Sequence, residues 1–167
     1  MAKRLLIYDV EPRLEATFDR RQGMDLLFSA NPPVAHCIGC FGCWIKTPGR
    51  CVIKDRASVL PSYFAQCSEV MIVSPILYGG YSANVKAVLD RSIGYLLPYF
   101  RYIDGQMHHQ MRHQNPFHLN VHFYGTCGDN ERSIAKRLVN ANAINLGAAG
   151  CSVLFYETAE EIGVATQ

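Results

Sequence analysis

A chain of 167 residues, 49% hydrophobic and only 18% charged, has the length and apolar content of one globular domain with a sizeable core, and is too apolar to stay disordered. Its 16 Lys and Arg against 14 Asp and Glu leave a formal charge of +2 with no basic stripe, which argues against a nucleic-acid partner. The longest apolar runs are too short and too interrupted to span a bilayer, and Asp9 breaks the basic start MAKRLLIYDV too early for a signal peptide, so no membrane partner is expected.

Seven cysteines in such a chain suit a reducing, cytoplasmic setting, where clustered thiols serve metal or redox chemistry rather than structural disulfides. Cys67, Cys127 and Cys151 are scattered among apolar residues and read as small buried hydrophobes.

In chain order, Arg4 to Asp9 is a short apolar run ending at a polar residue, the pattern of a buried parallel strand. Only fourteen residues, Val10 to Gly23, precede the next strand, and Leu14 with Phe18 is their sole apolar pair at helical spacing, so a stub of helix is expected. The second strand lies in MDLLFSA, from Met24. Val59, Leu60, Tyr63, Phe64 and Cys67 recur at helical spacing, with Pro61 tolerated in the first turn. A third strand runs through Val70 to Val73, and Ser82 caps a helix carrying Val85, Val88, Leu89 and Ile93. Leu119 to Tyr124 is a fourth strand; Asp129 or Asn130 then caps a helix bearing Ile134, Leu138, Val139 and Ile144, which Gly147 stops. Val153 to Tyr156 is the fifth, and the eleven residues from Glu157 to Gln167 are too few for a robust final helix. Strands alternating with helices predict a single α/β domain over residues 1–167, built on a doubly wound parallel sheet.

The segment CIGCFGCWIKTPGRCVIKD places Cys37, Cys40, Cys43 and Cys51 within fifteen residues. On a helix the first three would spread over about 9 Å of axis at about 1.5 Å per residue, so converging thiolates need a wrapped loop, which Gly39 and Gly42 permit. Pro48-Gly49 then makes a turn that returns Cys51 as a fourth ligand. The C-x2-C-x2-C spacing is that of a ferredoxin-like 4Fe–4S site; a four-thiolate zinc site and a metal-free thiol loop are the alternatives. His109 and His113 are four apart and would share a metal on a helix, but no carboxylate or cysteine lies near them in sequence. The segment GQMHHQMRH, with His108, reads instead as a loop that packs on a partner subunit or overhangs a ligand. His36, His118 and His122 read as core or surface histidines.

Between Cys37 and Tyr156 the chain resembles the flavodoxin-like NAD(P)H-dependent FMN reductases, and within them the iron–sulfur flavoproteins. The resemblance rests on the cysteine segment, on SPILYGGYSANVKAVLDRS, on LLPYFRYIDGQMHH, and on YGTCGDNE followed by a helix. It implies a five-stranded sheet of order 2-1-3-4-5. It also implies an FMN ring beyond the carboxyl ends of the strands, held by Pro75, Ile76, Leu77, Tyr78, Gly79, Gly80 and Tyr81 with Gly125, Thr126, Cys127 and Gly128. Glycine there lets main chain approach a flat ring, and Tyr78 or Tyr81 is placed to stack on it. In iron–sulfur flavoproteins a similar compact cysteine set holds a 4Fe–4S cluster that exchanges electrons with FMN.

The phosphate end departs from the family. A Gly-Ser-Pro-Arg type loop usually follows the first strand; here the stretch is YDVEPRLEATF, in which Pro12 and Arg13 match while Val10 and Glu11 replace Gly and Ser. Asp9 and Glu15 add negative charge. Two like charges about 4 Å apart repel by roughly 4 kcal/mol at an effective dielectric of about 20, more than the roughly 1 kcal/mol of one good hydrogen bond. Arg13 and Thr17 are the candidate phosphate ligands; FMN is the expected cofactor, with weakened or lost binding as the alternative.

With its first and last helices reduced, such a sheet would leave one face bare, although Leu5, Leu6, Ile7, Met71, Ile72 and Val73 show no polar alternation to meet water. A second, identical subunit is expected to cover it, in a homodimer or a higher homo-oligomer. The expected activity is flavin-dependent transfer of electrons from NAD(P)H to an acceptor the residues do not identify. A non-catalytic flavodoxin-like scaffold, stabilised by a partner chain or by metal at the cysteines, is the alternative, favoured by the acidic stretch from Asp9 to Glu15.

Overall fold

A computed structural model describes residues 3–19 and 23–165. Five parallel strands form the central sheet: β1 (Lys3–Tyr8), β2 (Leu26–Ser29), β3 (Cys67–Pro75), β6 (His118–Tyr124) and β7 (Gly150–Tyr156). Their spatial order, β2-β1-β3-β6-β7, is the flavodoxin-like order expected for the five sheet strands. Among the described residues no helix is long and apolar enough to cross a membrane.

Side-chain alternation divides the strands between two cores. Leu5, Ile7, Val70, Ile72, Leu119, Val121 and Phe123 face one side. There they meet α3 (Leu60–Phe64), α4 (Ala83–Arg91) and α5 (Asp129–Leu146) through Leu60, Phe64, Val85, Val88, Ala135 and Val139. Ser82 caps α4 as predicted, its hydroxyl accepting from the Val85 amide at 3.1 Å. Gly128 rather than Asp129 occupies the cap of α5, and Gly147 ends that helix in the left-handed region at φ 68°. Three predicted helical positions fall outside their helices: Val59 belongs to a 3-10 turn before α3, Cys67 opens β3, and Ile93 belongs to a short 3-10 turn after α4.

The opposite face corrects the expectation of a bare sheet. Two short helices, α1 (Pro12–Asp19) and α6 (Ala159–Ala165), pack together there and bury Leu6, Tyr8, Met71 and Val73 beneath Phe18, Ala159 and Ile162. Neither helix is long, yet one apolar anchor from each closes what a single full helix would otherwise cover. Toward β6 and β7 the same face turns polar. The Asn120 amide donates to Glu69 at 2.7 Å, Ser152 donates to Asn120 at 2.7 Å, and the ring of His122 stacks on Tyr156. Such paired polar groups are tolerated at a sheet surface without a covering layer. The apolar part of this face over β1 and β3 is thus covered within the chain, while Leu154 on β7 stays 46% exposed.

Residues 96–111 form a second element, an antiparallel hairpin of β4 (Leu96–Ile103) and β5 (Gln106–Met111). Asp104 and Gly105, at φ 49° and 79°, make its two-residue turn, with both centres in the left-handed region that a primed turn requires. The Met-His-His segment is therefore a strand rather than a loop. His108 is buried and bonded to Asn145 of α5 at 2.8 Å, while His109 stacks on Phe100 at 4.8 Å and lies 5.1 Å from Trp44. His113 lies beyond the strand against Tyr95, so the helical His109–His113 metal pair does not form.

Candidate functional site

Beyond the carboxyl end of β3 the chain doubles back tightly. Leu77 and Gly80 exchange both backbone hydrogen bonds, at 3.0 and 2.8 Å, enclosing Tyr78 and Gly79 at φ 51° and 78°. Glycine is required at the second position, because a Cβ there would come within 2.9 Å of the Glu131 carbonyl and of Ile134 on α5. That close approach fixes the turn on α5 and leaves the Tyr78 ring 91% exposed. Tyr81 instead turns into the core against Phe123, accepts from Asn142 at 3.4 Å, and is pushed up to about 12 by burial. Of the two tyrosines, Tyr78 is the one open to solvent.

The turn after β6 lies alongside. Ile76 donates its amide to the Tyr124 carbonyl at 2.9 Å, and a Cβ on Gly125 would sit 3.8 Å from Ile76. Gly125, at φ 107°, donates to the carbonyls of Tyr156 and Glu157 at the end of β7, and the Gly128 amide donates to the Glu131 carboxylate at 3.1 Å. Those two amides thus serve the fold. Thr126 is exposed and Cys127 half-buried. Residues 75–81 and 125–128 are brought together at one edge of the sheet.

The β1–α1 corner is built differently. Arg13 donates from Nε to Glu11 and from Nη2 to Glu160 of α6, both at 2.7 Å, and these two carboxylates raise its pKa, Glu11 most. Asp9 accepts from the Ser82 hydroxyl at 2.6 Å and from Asn84 at 3.4 Å. Thr17 lies a turn further along α1, within 3.5 Å of the place a Cβ on Gly163 would take. The residues present do not fit a phosphate, because the corner's cation is already shared by two carboxylates.

The four clustered cysteines line one cleft of about 130 Å³, with Ile38, Phe41, Trp44, Ile53 and Arg91 among its walls. The wrapping expected of the loop comes from Gly39 and Phe41, at φ 64° and 56°, followed by the single helical turn α2 (Gly42–Ile45). Gly49, at φ 82°, donates to the Cys43 carbonyl at 2.9 Å and turns the chain so that Cys51 returns to the cleft. Cys37 and Cys40 are exposed; Cys43 and Cys51 are half-buried, and burial together with Cys51 pushes the Cys43 thiol up.

Arg91, at the far end of α4, was not singled out by the sequence. Its side chain is fully buried and forks onto Asp55, at 2.6 and 2.8 Å; it also donates to the carbonyls of Ala35 and Ile53 and to the Cys51 sulfur at 3.2 Å. Among the described residues no three His, Cys, Asp or Glu side chains converge closely enough to hold a metal ion. A tetrahedral zinc with bonds of about 2.3 Å needs sulfurs roughly 3.8 Å apart, so the arrangement does not make a zinc site. A cluster is larger than one ion and spaces its thiolates more widely; the donor set suits it chemically, with four thiols in one mostly apolar cleft and a guanidinium N–H on one sulfur. The thiol cleft lies at the Arg91 end of α4 and the Tyr78 loop leads into its Ser82 end; nine residues at about 1.5 Å each make that helix about 13 Å long.

No family model matches the sequence. Over 80 residues the chain is 30% identical to the iron–sulfur flavoprotein of Methanosarcina thermophila, a stretch that covers 48% of this chain and 41% of that protein. The match thus spans well under half the length of that relative. In fold, the chain superposes on the NAD(P)H:quinone oxidoreductase of Methanothermobacter marburgensis with a TM-score of 0.62 at 11% identity, over 99% of this chain and 95% of that one. The general stress protein 14 of Treponema denticola, solved in complex with FMN, gives 0.57 at 12% identity, over 98% and 91%. The chain is a flavodoxin-like α/β protein, similar over about half its length to an iron–sulfur flavoprotein and alike in fold to NAD(P)H-dependent and FMN-binding proteins.

Proposed function

We propose that the chain is a flavin-dependent oxidoreductase or electron-transfer flavoprotein drawing on NAD(P)H. The observation that carries this is the juxtaposition of the 75–81 loop, with Tyr78 projecting, and the 125–128 turn at one carboxyl edge of a parallel sheet, where such sheets bind ligands. FMN is the flavin found with the stress protein of like fold. A flavin there supplies two-electron chemistry, while the chain's own residues position its ring and screen it from water. Binding would be read from the shift and quenching of flavin absorption and fluorescence on titration, and activity from NADH or NADPH oxidation with a quinone or ferric acceptor. Absence of both rejects the reading.

Cys37, Cys40, Cys43 and Cys51 are the residues that would hold a 4Fe–4S cluster, which would carry single electrons at the far end of α4. The free thiols suit a reducing, cytoplasmic setting. A homodimer keeps a basis other than the sheet face: Tyr99, Phe100, Tyr102 and Met107 of the hairpin are each more than half exposed, apolar side chains that a second subunit would cover. Light scattering showing a monomer at micromolar concentration would reject it. The scaffold reading is favoured by one observation, the closure of Arg13 between Glu11 and Glu160.

A further inference from the structure

We propose that the flavin site selects against the phosphate, taking a neutral flavin such as riboflavin in preference to FMN; the inference rests on the flavin reading above. Three independent features of the β1–α1 corner carry it. Its guanidinium, Arg13, is committed to Glu11 and Glu160 at 2.7 Å each, so freeing it for an anion means breaking two ion pairs. The backbone offers little in exchange: Pro12 opens α1 without an amide, and the Leu14 amide already donates to the Glu11 carbonyl at 2.8 Å. A ready-made anion site at a helix start depends on those first-turn donors.

The third feature lies across the corner. The hydroxyl of Ser82, at the start of α4, donates to Asp9 at 2.6 Å and accepts from the Val85 amide, while Asn84 points its amide at the same carboxylate. The polar groups nearest the end of β1 thus already serve a negative charge that belongs to the protein. Glu15 adds another, 3.5 Å from the Ser29 hydroxyl at the end of β2. Two carboxylates, from Glu11 and Glu160, hold the guanidinium of Arg13, while those of Asp9 and Glu15 are met by Ser82, Asn84 and Ser29. A phosphate of charge about −1.5 to −2 entering this corner meets repulsion from these carboxylates and competes with Glu11 and Glu160 for Arg13. The ring end has no such bias, since Tyr78 and the two glycine turns recognise the isoalloxazine, which riboflavin and FMN share.

The test is a pair of titrations of the flavin-free full chain with riboflavin and with FMN, followed by fluorescence quenching at low and at high salt. Riboflavin should bind about tenfold or more tightly than FMN at low salt, and the gap should narrow as salt screens the corner. In Glu160→Gln, and in Glu11→Ser separately, FMN should gain affinity while riboflavin holds constant. FMN binding as tightly as riboflavin to the unaltered chain, or copurifying with it, overturns the selectivity and leaves the flavin site standing. If riboflavin, FMN and phosphate-free lumiflavin all fail to bind, the flavin reading falls and this inference with it.

Discussion

Arg91 and Cys51 meet guanidinium to sulfur at 3.2 Å, forty residues apart in sequence, and the same guanidinium forks onto Asp55. One buried side chain thereby ties the end of α4 to both flanks of the thiol loop. Burial works to lower the Arg91 pKa, but the hydrogen bonds to Asp55 and Cys51 outweigh it and raise it, so the group stays charged wherever the protein folds. The arginine therefore sets the shape of the cleft as well as its electrostatics.

Removing that charge should be costly. Arg91→Met leaves Asp55 without its partner and two loop carbonyls without donors; as Asp55 keeps partial exposure, a loss of about 3 kcal/mol, the lower end for a broken buried pair, is expected in urea unfolding at pH 7. The pH profile gives a second readout. The Arg91 hydrogen bond, opposed by burial, holds the Asp55 carboxyl below its ordinary 3.8. A depressed carboxylate stabilises above the unfolded value, and that contribution fades as pH falls through the folded one. The unaltered chain should thus lose stability below about pH 4 more steeply than Arg91→Met does.

The Tyr78-Gly79 turn separates a stability effect from a binding effect. Gly79→Ala must place a Cβ at positive φ and 2.9 Å from the Glu131 carbonyl, so a loss of about 1–3 kcal/mol in thermal or urea unfolding is expected. Tyr78→Ala removes an exposed ring and should leave unfolding nearly unchanged, while weakening riboflavin and FMN alike by up to about tenfold, the worth of one aromatic stacking contact. Unaltered affinity in Tyr78→Ala would place the flavin ring elsewhere.

Stability at high pH should fall for an identifiable reason. Burial pushes the Cys67 thiol from 9.0 to about 12, and its hydrogen points to the Tyr63 carbonyl at 3.0 Å. The folded chain keeps this proton where the unfolded chain releases it, so its contribution is full below pH 9 and is lost as pH rises toward 12. Cys67→Ala should flatten the decline in melting temperature between pH 8.5 and about 10.5, measured by circular dichroism. An unchanged slope would assign it to Tyr81, Tyr95 or Tyr124, which burial also raises to about 12.

The parts of this architecture that were legible in the sequence are those whose signal is local. Apolar runs such as Val70–Val73 mark strands buried on both faces, and Ser82 before Val85 marks a helix start, because capping and periodicity act over a few residues. The cover of the second face was missed because it is divided: Phe18 comes from one short helix and Ile162 from another, and each segment alone looks too short to cover a sheet. The hairpin did leave a signal in Asp104-Gly105, but Pro98 and the run LLPYF blur the alternation around it. At the candidate site the glycine turns were readable, whereas Arg13 meeting Glu160 and Arg91 meeting Asp55 and Cys51 were not. Such long-range pairings have no sequence period, and only the completed fold brings the partners together.

The thiol cleft predicts a selective pattern of losses. Reconstitution of the full chain with ferrous iron and sulfide without oxygen should give a broad absorption near the visible blue, with iron and sulfide bound in equal amounts. Serine at Cys37, Cys40, Cys43 or Cys51 should remove or degrade it, since all four sulfurs line the same cleft. Serine at Cys127 or Cys151, which pack against the main core away from that cleft, should not. Arg91→Lys keeps the positive charge but not the fork that reaches Asp55 and sulfur together, so it should shift the cluster's reduction potential downward by weakening the hydrogen bond to Cys51. Iron uptake that survives all four single substitutions would mean that the metal sits outside the cleft, and uptake absent from the unaltered chain would leave these residues a thiol loop held in shape by Arg91.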